Sequence, residues 1–240
     1  MTGLGTIVNC AAVIVGALIG MLFKKALKER FCELITQSMG LAVIFIGAAG
    51  GVGRIIELNK TENGTVQIVM MVLAFTLGSF LGELINIQHQ TERFASWLKV
   101  KTKSENDNSF VSGFVSASLT ICVGAMAVIG PIQDALSHDY STLFTKAVLD
   151  LVIIMVMASA MGKGTAFSVI PLAAVQGSIT LIAKLVEPYL TQSAVTNISF
   201  VGSMMIFCVG VNLMFDKKIR VANMLPTIIF SVAFSFLPIK

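Results

Sequence analysis

The sequence predicts an all-α protein: a polytopic bundle of about eight transmembrane helices, seven if the weakest is not counted, forming one domain over residues 1–240. Three observations carry that prediction. First, 55% of the residues are hydrophobic and 12% charged, about half the charge of an ordinary soluble domain, with a mean hydropathy of +0.87. Second, the apolar residues fall into runs long enough for helices of about 20 residues, the length that crosses a bilayer. Third, the basic residues gather between alternate runs.

The runs cover 3–23, 34–56, 66–87, 110–133, 143–161, 165–187, 198–215 and 222–238. The first opens without a basic leader or a small-x-small cleavage site, so it is expected to be a retained span rather than a removed signal. The fifth carries Lys146 and Asp150, and the short eighth contains Pro226; these are the two least regular runs.

Loop charge tests the count. Lys24, Lys25, Lys28 and Arg30 follow span one, and Arg93, Lys99, Lys101 and Lys103 follow span three. Lys163 follows span five, and Lys217, Lys218 and Arg220 follow span seven. The opposite side holds only Arg54, Lys60, Lys146, Lys184 and Lys240, and the loop 131–140 has Asp134 and Asp139 but no Lys or Arg. Basic loops stay cytoplasmic, so both termini are expected outside. The net charge of +4 then reflects topology, and no nucleic-acid partner is expected.

The longest connection, 88–109, places Phe94, Trp97 and Leu98 on one helical face beside Arg93 and Lys99. That pattern predicts a helix lying in the interface with Trp97 at headgroup depth, followed by a polar linker from Lys103 to Asn108. An internal repeat is also visible. An offset of 162 aligns Ala11-Ala12-Val13 with Ala173-Ala174-Val175, Gly40 with Gly202, and Ile44-Phe45 with Ile206-Phe207. A rival offset of 108 aligns Val15-Gly16-Ala17 with Val123-Gly124-Ala125. Either would be an inverted repeat of the kind that builds secondary transporters.

Polar residues inside the runs are the functional candidates, because a charge at a helix centre costs about 2.5–3.5 kcal/mol on insertion scales. Lys146 and Asp150 stand four apart on one face of span five, the spacing of a helical ion pair. Asp150 should lie roughly ten ångströms below the outer boundary. They are a structural pair, or an ion or proton site. Gln176 in span six follows Pro171, whose missing N–H frees a carbonyl one turn earlier; a kinked helix with an adjacent amide can line a polar site. Glu83 closes span three beside the Gly78–Gly82 close-approach face and reads as a solvated carboxylate near the cytoplasmic interface. Asn9 and Asn212 are single amides in spans one and seven. Ser112, Ser116, Thr120 and Gly124 stripe one face of span four, either as a packing seam or as the wall of a hydrated path.

His89 and His138 fall on opposite sides of the membrane under this topology. No nucleophile triad, H-E-x-x-H, Walker loop or dinucleotide fingerprint is present, so neither an enzyme nor a cofactor is expected. Cys10, Cys32, Cys122 and Cys208 lack metal or disulfide spacing.

The chain resembles the YqgA/YdfK-like group of uncharacterised bacterial inner-membrane proteins, classed as a domain of unknown function, over essentially its whole length. The resemblance rests on Gly5-Thr6-Ile7-Val8-Asn9, Leu81-Gly82-Glu83, Lys146 with Asp150, Pro171 with Gln176, Val201-Gly202 and Asn223-Met224-Leu225-Pro226. It implies a multi-span fold and a bacterial inner-membrane address, but no substrate. Where the group often has Cys-x-Gly-Pro, this chain reads Cys122-Val123-Gly124-Ala125, and without the proline no kink is expected there.

These residues point to a secondary transporter or channel for a small polar solute or ion, with Asp150, Gln176, Asn9 and Asn212 lining the site, Lys146 modulating Asp150, and Glu83 as a further candidate. The alternative is a non-transporting scaffold or regulatory partner acting through glycine-rich faces and the 88–109 segment; those faces also make a homo-oligomer plausible.

Overall fold

In a computed structural model, residues 1–26, 29–60, 64–123, 126–186, 191–215 and 219–236 are described. Lys28, Gly124, Ala125, Lys217, Lys218 and Lys240 lie outside them. Among the described residues the chain is helical throughout, without strands. The helices are α1 (Leu4–Ala26), α2 (Glu29–Leu58), α3 (Gly64–Ile85), α4 (Ile87–Lys101), α5 (Phe110–Cys122), α6 (Met126–Ser137), α7 (Ser141–Met161), α8 (Lys163–Ala166), α9 (Val169–Val186), α10 (Gln192–Phe215) and α11 (Thr227–Phe234). A 3-10 turn, Val221–Met224, precedes α11.

Among the described residues, six helical stretches are long and apolar enough to cross a membrane: Leu4–Phe23, Glu33–Leu58, Gly64–Ile85, Ser141–Met161, Lys163–Ala183 and Gln192–Phe215. Their outward faces remain apolar and exposed, as at Leu181 (87%) and Phe45 (67%), which water would penalise and lipid accepts.

Two expected spans differ from the sequence reading. The run 110–133 is not one straight helix: α5 and α6 meet at 86°. Val123 is extended (φ −95°, ψ 129°) and ends α5 without a proline, so the missing Cys-x-Gly-Pro proline does not prevent a break. Beyond it, α6 continues to Ser137 and absorbs most of the acidic 131–140 loop. The run 222–238 is the 3-10 turn plus the eight-residue α11, about 12 Å of helix and too short to cross alone. Pro226 occupies the N-cap of α11, where its missing donor costs little.

Pro171 likewise does not kink a continuous helix. It lies in the first turn of α9, and the Phe167 carbonyl it would leave unpaired accepts the Ile170 N–H at 3.0 Å.

Two helix pairs form the frame. α1 runs parallel to α7, with Gly5, Gly16 and Gly20 meeting Leu143, Leu151 and Met155 in the same order. α2 runs antiparallel to α10, with Gly40, Gly47 and Gly50 meeting Met214, Phe207 and Ser203. A Cβ at Gly16 or Gly20 would overlap the backbone carbonyl of α7 opposite it, so only glycine lets the two backbones approach this closely. The Gly78–Gly82 face is filled within the chain by Thr227 and Asn223, and a Cβ at Gly82 would overlap the Asn223 carbonyl oxygen. That face is therefore not free to join a second copy.

The helix expected after the third run is present as α4. Leu98 is buried while Trp97 (57%) and Phe94 (40%) stay exposed. Asn86, at φ 54°, turns the chain from α3 into α4 and accepts the His89 N–H on its side chain. At the other end Lys103 takes φ 51°, with Ser104 N–H bonded to the Lys99 carbonyl and Lys103 N–H to the Val100 carbonyl. This is a Schellman ending whose left-handed position is normally glycine; a side chain there costs about 1–2 kcal/mol.

Gly16→Val should lower unfolding stability in detergent by about 1–3 kcal/mol through overpacking. Gly53→Ala, whose added Cβ meets nothing within 4 Å, should leave it unchanged or raise it by about 0.5–1 kcal/mol. Equal losses in the two variants would refute the α1–α7 seam.

Candidate functional site

The parallel pairing of α1 and α7 brings Asn9 against Asp150, which stands halfway along α7. Asp150 follows the first residue of its helix by nine positions, about 14 Å along the axis. Lys146, one turn earlier, donates to both carboxylate oxygens, at 2.8 Å to Oδ1 and 2.6 Å to Oδ2. Asn9 Nδ2 donates to Oδ2 at 3.0 Å and lies 3.5 Å from Gln176 Oε1 on α9. Asn9 and Gln176 are fully buried, Asp150 is 3% exposed and Lys146 7%. Four of the six candidates thus form one cluster across three helices, with no net charge.

The pairing is incomplete. Asn9 Oδ1 and Gln176 Nε2 are buried with no hydrogen-bond partner, as are Thr6 Oγ1, one turn outward on the same face of α1, and Ser118 Oγ on α5. Buried polar groups in folded proteins are nearly always paired, so these atoms mark where a polar guest could bond. Cys10 on α1 and Cys122, the last residue of α5 before the bend, lie within electrostatic range of Asp150. The end of α5 at Cys122 therefore lies near the cluster. The arrangement offers a carboxylate able to hold a proton or small cation, an internal ammonium that competes for it, and neutral amides with free donors and acceptors. Among the described residues no three His, Cys, Asp or Glu side chains converge as a metal cage.

The other two candidates lie at the basic end of the bundle, away from Asp150. Asn212 is half-buried and closes the connection after α10, donating to the Ile219 carbonyl at 2.8 Å and accepting its N–H at 2.9 Å. Glu83 accepts from Asn223 Nδ2 at 2.6 Å and pairs with Arg220; Asn223 Oδ1 accepts the Gln88 N–H at 2.6 Å. Both serve a polar clasp joining α3, α4 and the 219–224 segment. Ser112 and Ser116 line a polar cavity of about 790 Å³ beside His89, Glu92, Asn212 and Arg220, so their stripe borders an open space rather than a tight seam.

Asp134 was missed as a site residue because the sequence places it in a loop. It is fully buried on α6 and accepts the Gly3 and Gly5 N–H groups, each at 2.8 Å, satisfying otherwise unpaired donors of the α1 N-terminus. Its signal was a Gly-x-Gly start to span one, which offers two sterically accessible N–H groups. Asp139, in the following loop, accepts the Ser141 N–H at 2.9 Å, which holds its carboxyl below the usual range.

Residues 4–236 match the family described as a protein of unknown function, DUF554. The chain belongs to this family. It is 29% identical over 225 residues to the uncharacterized membrane protein YdfK of Bacillus subtilis (strain 168), covering 94% of this chain and 92% of that one. It is 26% identical over 236 residues to the uncharacterized protein YqgA of Escherichia coli (strain K12), covering 97% and 96%. No solved structure matches. The DUF554 match confirms the resemblance and spans all three helices that build the Asp150 cluster.

Removing one partner of a buried ion pair strands the other charge and costs about 3–5 kcal/mol. Lys146→Met should therefore destabilise the protein by that order in detergent unfolding. Lys146→Met with Asp150→Leu should recover most of the loss, since paired charges are often replaceable by apolar side chains. Additive losses would show that the two charges do not act as a pair.

Proposed function

We propose that this DUF554 protein is a secondary transporter or channel of the bacterial inner membrane, moving a small polar solute or ion past the Asp150 cluster. The observation that carries the reading is the set of unpartnered buried amide atoms, Asn9 Oδ1 and Gln176 Nε2, beside the Lys146–Asp150 pair. A structural ion pair alone would have no use for two unsatisfied amides in hydrocarbon. The broken α5–α6 span beside it fits the same reading, since discontinuous helices commonly line midplane sites. Under the 162-residue offset α1 and α9 are repeat partners, and each contributes an amide to the cluster. Asp150 is the coupling group, Lys146 its built-in competitor, and Asn9 and Gln176 the solute contacts. No catalytic step and no cofactor enter this scheme.

The topology that suits this role has the basic loops in the cytoplasm and both termini outside, with α5–α6 as one bent crossing and the whole 219–236 segment, rather than α11 alone, as the eighth. A reporter at either terminus accessible only from the cytoplasm would overturn it. The scaffold reading loses one of its two supports, because the Gly78–Gly82 face is occupied by Thr227 and Asn223 of the same chain.

The purified protein in liposomes should carry a flux of protons, monovalent cations or small neutral solutes that empty liposomes lack. Gln176→Leu, which removes only the amide, should reduce that flux at least tenfold while leaving folding intact. Absence of flux for every class, or an unaffected Gln176→Leu, would refute the assignment.

A further inference from the structure

A separate cavity of about 750 Å³ opens at the basic end of the bundle, lined by Leu18, Met21 and Leu22 of α1 with Lys103, Asp107 and Lys163. It shares no residue with the Asp150 cluster. Its two lysines are far apart in sequence and are brought together by the way the 103–109 linker docks. Ser109 Oγ donates to the Met161 carbonyl at 2.7 Å, and Gly164 packs directly on the Phe110 carbonyl. The linker is thereby held against the α7–α8 corner, where Gly162 (φ 80°) turns the chain immediately before Lys163.

The charge of this pocket is unbalanced. Among the described residues neither lysine ammonium has a hydrogen bond or an ion pair. The acid in the lining, Asp107, accepts the Ser109 N–H on Oδ1 at 3.1 Å, and the same oxygen lies 2.8 Å from the Ser109 hydroxyl, whose one proton it shares with the Met161 carbonyl. Lys103 moreover occupies the left-handed position of the α4 ending, where glycine would sit without strain. A side chain retained at a strained position points to use of that side chain. The linker adds Ser104 and Asn106 to the lining, while the wall supplied by α1 is apolar and opens outward: Leu18 is 55% and Leu22 68% exposed. The preceding helix, α4, carries exposed Trp97, which sets the pocket at headgroup depth.

We infer that this pocket binds the headgroup of an anionic phospholipid, with Lys103 and Lys163 on the phosphate and Leu18 and Leu22 against the first part of an acyl chain. Two ammonium groups over an apolar wall at the interface match a lipid, which is both anionic and apolar, better than a soluble anion, which would leave that wall unused.

The test is lipid binding by the purified full chain in a neutral detergent, read as thermal stabilisation and as lipid retention in native mass spectrometry. Phosphatidylglycerol should bind and stabilise in a salt-sensitive manner, and phosphatidylcholine should not. Lys103→Gly with Lys163→Gln should weaken phosphatidylglycerol by about fivefold per lysine removed. Its lipid-free melting temperature should equal or exceed that of the parent, because glycine relaxes the turn at 103. Should the double variant not purify, Lys163→Gln alone, on an exposed side chain, should show the single-lysine loss. Equal binding of the two lipids, or a phosphatidylglycerol preference that survives the substitutions, would overturn the proposal. Full displacement by inorganic phosphate at matched concentration would assign the pocket to a soluble anion instead.

Discussion

Lipid offers a carboxylate neither hydrogen bonds nor counter-charge, so Asp150, halfway along α7, has to be satisfied by the protein itself. Much of the architecture follows from that need. Lys146 supplies the charge from one turn away on the same helix, which requires no tertiary contact. Asn9 supplies the remaining hydrogen bond from α1, and this requires α1 to lie against α7 at backbone-to-backbone distance. Gly16 and Gly20 make that approach sterically feasible. Gln176 then extends the polar layer onto α9. The cluster is neutral overall but not saturated, and the unsaturated part consists of amides rather than charges. The proposed site rests on that distinction.

The two ends of the bundle are held by different chemistry. At the end opposite the basic loops, one buried carboxylate, Asp134, receives the first N–H groups of α1 and locks the start of α1 to α6. At the basic end, Glu83, Asn223, Gln88 and Arg220 form a network of side-chain and backbone bonds that spans α3, α4 and the 219–224 segment. The exposed Arg220–Glu83 pair contributes little energy by itself. The buried Asn223 is the larger contributor, since both its donor and its acceptor are used within the protein.

Much of the candidate site was legible in advance, for energetic reasons. A polar side chain inside an apolar run is expensive wherever it ends up, so Asn9, Lys146, Asp150 and Gln176 stood out without any knowledge of packing. The same criterion also selected Asn212 and Glu83, which proved to be capping and clasping residues, because cost alone does not say which partner meets it. Asp134 escaped because the signal that it is buried lies in its partners, two glycine N–H groups more than a hundred residues away. The bend between α5 and α6 escaped because no proline announces the extended residue, Val123, that ends α5.

Hydropathy and charge periodicity alone determined that this chain is a helical membrane protein with a separate, more polar helix after its third apolar run. Those properties depend on transfer of each residue between water and lipid, a nearly additive quantity that composition and spacing report directly. Only the tertiary structure decided that Asn9 meets Asp150, that the Gly78–Gly82 face is filled from within, and that the fourth and eighth runs are broken or short. Those outcomes depend on which helices touch and in which direction. Close approach of two backbones is a property of pairs, and no single run of residues encodes it.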